Sequence, residues 1–191
     1  PRLRVHRAGL PGSLITTARG GPTATVAAAC LFVGARGDWD AVCRALRERL
    51  VAPREIGGAR ELLSRRRGAN ALDAVVRLTG DGPWSVAELE LHDLLRKAGV
   101  TGWTANLKVC VGHEDDGHRI TRATYYLDGA FEAEMLDVEM NGRQFHDTGV
   151  SFESDARRVR GLTAIGWTIM PVTPVQLRGD PKRFLEELCA R

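Results

Sequence analysis

The stretch from Trp103 to Asn141 does most to limit the folds open to this chain. It holds three β-like segments, about Trp103 to Gly112, Arg119 to Ala130 and Met135 to Asn141, rich in β-branched and aromatic residues; the turn-forming EDDG separates the first two. A helix precedes them from about Ser85 to Ala98, with Leu89, Leu91, Leu94 and Leu95 as its apolar stripe and Gly99 as its stop. A second helix follows from about Ser151 to Ile165, ended by Gly166; then come a buried strand, Trp167 to Val172, and a last helix opened by Pro181. The order α, three strands, α, strand, α predicts an α/β domain of the α+β kind over residues 81–191.

Residues 1–80 read differently, as a basic tail followed by short helices. TATVAAACLFVG has Thr23 as its cap, DWDAVCRALRERL begins at Asp38, PREIGGARELLSRRRG runs from Pro53 to Gly68, and ANALDAVVRLTG ends at Gly80. No strand pattern competes here. The boundary falls at Asp81-Gly82-Pro83, where the character of the sequence changes.

The net charge of +3 conceals an asymmetry: 14 Arg/Lys against 6 Asp/Glu up to residue 80, or +8, and 13 against 18 thereafter, or −5. A basic half joined to an acidic half suits a protein that attracts a polyanion with one part and gathers carboxylates in the other. Arginine far outnumbers lysine throughout, a bias that genome composition also produces. No apolar run has the length of a membrane span and no signal-peptide pattern opens the chain, so the expectation is a cytoplasmic protein without membrane contact. Cys30, Cys43, Cys110 and Cys189 form no CxxC pair, which points to reduced, mostly buried thiols. Pro1 in place of a methionine suggests a longer parent protein.

The second and third β segments pair naturally as an antiparallel hairpin centred between Ala133 and Glu134. In that register Leu127 faces Met140, Gly129 faces Val138 and Phe131 faces Leu136, so apolar partners match, and Asp128 lies opposite Glu139. The connection has no glycine, which implies a longer or bulged turn. Opposed residues hold their Cβ atoms about 4.5–5.5 Å apart, and two carboxylates so placed repel unless a cation sits between them. Carboxylate oxygens suit Mg2+ or Mn2+. Asp137 and Asn141 add polar groups on the same face; a solvated strand face is the competing reading.

LDGAFEAEMLDVEMNGRQFH, followed by FESDARRVRGL and IGWTIMPVT, resembles the endonuclease-like domain of the very-short-patch-repair (Vsr) type, a branch of the PD-(D/E)XK nuclease superfamily. The features carrying it are Asp128, Glu139 through Gly142, Phe145-His146, Asp155 with Arg158, and Gly166-Trp167, within residues 84–175. The resemblance implies a restriction-endonuclease-like αβββαβ core and a Mg2+- or Mn2+-dependent DNA endonuclease. Residues 1–80 resemble the helical region that precedes such domains in bacterial type IV antitoxins of the AbiEi kind, whose upstream winged helix is not present in this sequence. Asn141 departs from the family, which has an acid there; an amide supplies neither negative charge nor a proton acceptor. A catalytically inactive nuclease-like fold in a DNA-binding antitoxin or regulator is therefore the alternative.

The resemblance assigns Asp128 and Glu139 to the metal and His146 to proton transfer, and it makes Asn141 part of the site. Arg157 or Arg158 would stabilise charge on the phosphate, with Arg143 a further DNA contact. Asp155 orients His146 or serves its helix dipole. Glu88 matches an acidic residue facing the site, but Ser85-Val86-Ala87-Glu88 is equally a capping box. Arg65, Arg66 and Arg67 would grip phosphates or complement a helix C-terminus. The cluster His113 to His118 reads as a solvated loop, and His92 and His6 carry no expected function.

Overall fold

The structure is a computed structural model that describes residues 9–18, 20–63, 68–114, 120–141 and 149–191, with the backbone alone at 113, 114, 120 and 149–152. The chain divides after Ser85 into two compact units.

The first unit opens with a hairpin, β1 (Ile15–Ala18) and β2 (Gly21–Ala24), and continues through α1 (Val26–Gly34), α2 (Trp39–Arg47), α3 (Pro53–Leu62) and α4 (Ala69–Thr79). The hairpin corrects the all-helical expectation for this region. Its pairing runs from Ile15↔Ala24 to Ala18↔Gly21, and every β1 residue is exposed, so neither strand carries the alternation that betrays a half-buried one. Thr23 is paired with Thr16 across it; the cap of α1 is Thr25, whose hydroxyl accepts the Ala28 N–H at 3.3 Å. Asp38 caps α2 through the Ala41 N–H at 3.2 Å, and Glu55 folds back to accept the Ala52 N–H at 2.6 Å ahead of Pro53. The α3 helix ends at Leu62, short of the expected Gly68.

Leu31, Val42, Ile56 and Val75 are wholly buried in this unit's core, each contributing about 1.5–3 kcal/mol by leaving water. Helices α1 and α4 meet at Gly34, where a β-carbon would stand 3.0 Å from Val75 Cγ2 and 3.3 Å from the Trp39 ring. A side chain there would force Val75 or Trp39 to give way by a few tenths of an ångström.

The second unit comprises α5 (Val86–Lys97), β3 (Trp103–Glu114), β4 (Ile120–Phe131), β5 (Leu136–Met140), α6 (Gly149–Ala164), β6 (Thr168–Val172), α7 (Pro174–Gly179) and α8 (Pro181–Cys189). It is an α+β unit whose first six elements follow the α, β, β, β, α, β order read from the sequence. Helix α7 was not expected. Thr173 and Gln176 form its capping box and Pro174 its first residue, and Arg178 holds both oxygens of Glu90 on α5 at 2.8 Å.

The sheet order is β3-β4-β5-β6. Strands β3, β4 and β5 are antiparallel neighbours, whereas β6 runs parallel to β5 after the α6 crossover. Leu136, Val138 and Met140 turn one face of β5 toward Leu91 and Leu95 of α5 and Phe184 and Leu188 of α8. Leu162 of α6 packs with Leu127, Ala130 and Trp167 in a second cluster. Residues 132–135 connect β4 to β5, and Met135 takes the positive φ of 51° that a glycine would normally supply. Pro171 lies in the marginal strand β6. Cys30 and Cys43 are buried and free, but Cys110 and Cys189 are exposed, contrary to the expectation of mostly buried thiols. Among the described residues no helix is long and apolar enough to cross a membrane.

Candidate functional site

Strands β4 and β5 pair as Ala130↔Asp137 and Phe131↔Leu136, the register chosen by apolar matching. Beyond those pairs the apolar matching fails, since Leu127 and Met140, expected to face each other, fall in different core clusters, although the charge of Glu139 does act on Asp128. The backbone ladder does not continue to that level, because side chains take the place of carbonyls. Met140 N–H donates to Asp128 Oδ2 at 2.8 Å, and Gly129 N–H donates to Asp137 Oδ1 at 3.4 Å. On the other flank, β3 pairs with β4 at Ala105↔Gly129 and Leu107↔Leu127. Asn106 between them has φ 51°, a conformation sparsely populated outside glycine. The sheet is thus irregular on both sides of Asp128.

Four carboxylates interact here. Asp137 is fully buried and Glu88 is 8% exposed, the Glu139 side chain is 16% exposed, and the charges of Glu139 and Glu88 both act on Asp128. Among the described residues, Arg158 is the guanidinium whose charge acts on Asp128 and Asp137. Arg158 of α6 donates Nη1 to Glu139 Oε1, Nη2 to Glu139 Oε2 at 2.6 Å, and Nη2 again to the Tyr126 carbonyl at 2.9 Å. Burial works against the charge of Arg158, but the hydrogen bond and charge of Glu139, helped by Asp137 and Asp128, hold it firmly protonated.

The Asp128 carboxyl is pushed up to about 8 by burial first, then by Glu139 and Glu88, against the Met140 N–H and Arg158. Asp137 is likewise pushed up to about 8 by burial, by the charge of Glu139 and by a hydrogen bond to it, and by Asp128. No donor points at Asp137 Oδ2; its neighbour Glu139 is also a carboxyl group, so the two hydrogen-bond only when one of them carries a proton.

The donors fit a hard divalent cation in kind, being carboxylate oxygens with one buried oxygen lacking a donor. Among the described residues no three His, Cys, Asp or Glu side chains stand arranged to hold a metal. Both oxygens of Glu139 are engaged by Arg158. A cleft of about 420 Å3 opens beside the pair, lined by Glu139, Asn141, Asp155, Arg158, Leu162 and Ile169 among others.

The cluster therefore brings together Asp128, Glu139, Glu88 and Arg158 from the sequence-derived set, with Asn141 and Asp155 on the cleft wall. Asn141 is exposed, and its N–H donates to the Val172 carbonyl at 2.8 Å. Glu88 is buried, and its charge acts on Asp128. Arg157 is exposed on α6. His146, Arg143, Arg65, Arg66 and Arg67, together with residues 115–118 of the His113–His118 cluster, lie outside the described residues.

His92, for which the sequence implies no function, touches the Asp128 backbone. Its Nε2 donates at 2.8 Å to the carbonyl of Asp128, which fixes the proton on that nitrogen because a carbonyl only accepts. Its ring, wholly buried, lies 4.9 Å from that of Trp103. The available signal was a histidine three residues before Leu95 on the apolar side of α5.

No family model and no curated protein matches the chain.

Proposed function

We propose that the second unit is a Mg2+- or Mn2+-dependent DNA endonuclease domain of the Vsr-like branch of the PD-(D/E)XK superfamily, acting in the bacterial cytoplasm. The observation that carries this reading is the Asp128 carboxylate, which accepts the Met140 N–H where the β4–β5 ladder stops and lies within the field of Glu139 and Glu88. Asp128 and Glu139 would hold the ion, and Glu88 would add to the field that attracts it. When bound, the ion polarises the phosphodiester and lowers the pKa of the attacking water. Met140 N–H and the His92 contact to the Asp128 backbone keep the Asp128 carboxylate aimed. His146 is assigned the proton transfer, since imidazole titrates nearest neutrality. The exposed Arg157 is assigned to the DNA backbone.

Asn141, which removes one acid from the family pattern, favours a second reading: a nuclease-like fold that binds DNA without cutting it, in an antitoxin or transcriptional regulator. Incubation of supercoiled plasmid with Mg2+ or Mn2+ separates the two. Nicking that needs the metal and is lost in both Asp128→Ala and Glu139→Ala is the expected result. DNA retarded in a gel but left intact by wild type and variants alike would hand the function to the second reading.

A further inference from the structure

The fork between Arg158 and Glu139 has a chemical cost for any other cation. A carboxylate gripped on both oxygens by a guanidinium has little to offer a second positive charge. Arg158 is nonetheless not entombed: its side chain is 25% exposed and borders the cleft. One turn earlier on α6, Asp155 is exposed and lines the same cleft. Residues three apart on a helix are neighbours, so Asp155 offers the guanidinium a second carboxylate within the reach of a rotamer change.

We propose that Arg158 is an internal latch, which holds Glu139 in the resting protein and swings to Asp155 when a divalent cation takes Glu139. This rests on the metal-site reading above and gives Arg158 a regulatory duty in place of the phosphate contact expected from the sequence. A rigid, planar side chain suits the task because its two parallel bonds form and break together. The Tyr126 carbonyl is the third anchor of the closed latch.

The test is a calorimetric titration of Mn2+ into the wild type and into Arg158→Met, Arg158→Lys, Asp155→Asn and Arg160→Gln, with thermal melts to verify folding. Arg158→Met is expected to bind about tenfold more tightly, because a latch closed about nine-tenths of the time reduces apparent affinity by that factor. Arg158→Lys keeps the charge but loses the fork, and is expected to fall between wild type and Arg158→Met; it also serves if Arg158→Met fails to fold. Asp155→Asn removes the resting place of the open latch and is expected to bind more weakly than wild type. Arg160 is exposed on the same helix, and its removal is expected to change affinity by less than about twofold in physiological salt. Equal tightening in Arg158→Met and Arg160→Gln, or none in Arg158→Met and Arg158→Lys, overturns the latch and leaves the metal site standing. Absence of Mn2+ binding in every protein overturns the metal site and the latch with it.

Discussion

The two units bury different things. In the first, the buried core is aliphatic, with Thr79 the one buried polar residue among those described, and that hydroxyl is satisfied by the Val75 carbonyl of its own helix at 2.8 Å. In the second, Glu88, His92 and Asp137 are all buried, and Asp128 and Asp137 are strained toward protonation. Apolar burial stabilises wherever it occurs, whereas a buried carboxylate costs free energy unless something pairs with it. The contrast marks one region selected for holding together and another that spends stability on concentrated charge.

Truncation is the sharpest way to probe that contrast. Leu31→Ala, at a wholly buried site of the first unit, is expected to cost about 2–5 kcal/mol, read from urea unfolding. A loss well under that range would mean that the apolar core is loosely packed and the comparison false.

Next in size is a pH effect confined to the second unit. Asp128 and Asp137 hold a proton up to about 8 when folded, but only to about 3.9 in an unfolded chain. Between those values the folded state binds more protons, so its stability is greatest at the acid end and falls as pH rises through about 8. Melting temperature is expected to drop between about pH 5.5 and about pH 8.5, and Asp137→Asn, a near-isostere with no charge to bury, is expected to flatten the drop. A profile that is level in the wild type would count against the buried acids. The smallest effect belongs to Arg178→Ala. Its fork with Glu90 is solvent-exposed, so no measurable change in melting temperature is expected.

The sheet of the second unit was legible because its strands are half-buried and alternate, and the β4/β5 register followed from which residues are apolar. That basis holds at Ala130–Asp137 and Phe131–Leu136 but not at Leu127–Met140, which lie in different core clusters. The end of the ladder could not be read from that pattern, since Met140 N–H there donates to the Asp128 carboxylate. Asp137 could be placed on the correct face, but its burial is set by distant packing, not by its neighbours in sequence. Hairpin β1–β2 escaped notice because an exposed pair of strands leaves no hydrophobic period to read. The Arg158 fork spans 19 residues to Glu139; the resemblance marks Arg158 by its spacing from Asp155, but no neighbour in sequence indicates which carboxylate it holds.

Pro171 has a consequence for how copies of this protein meet. Thr168 N–H and the Val172 carbonyl both point at the β5 side. Successive residues of a strand alternate direction, so the amide position of Pro171 faces outward from the rim of the sheet. Proline leaves that rim one donor short just where a foreign strand would zip on, a built-in guard against edge-to-edge aggregation.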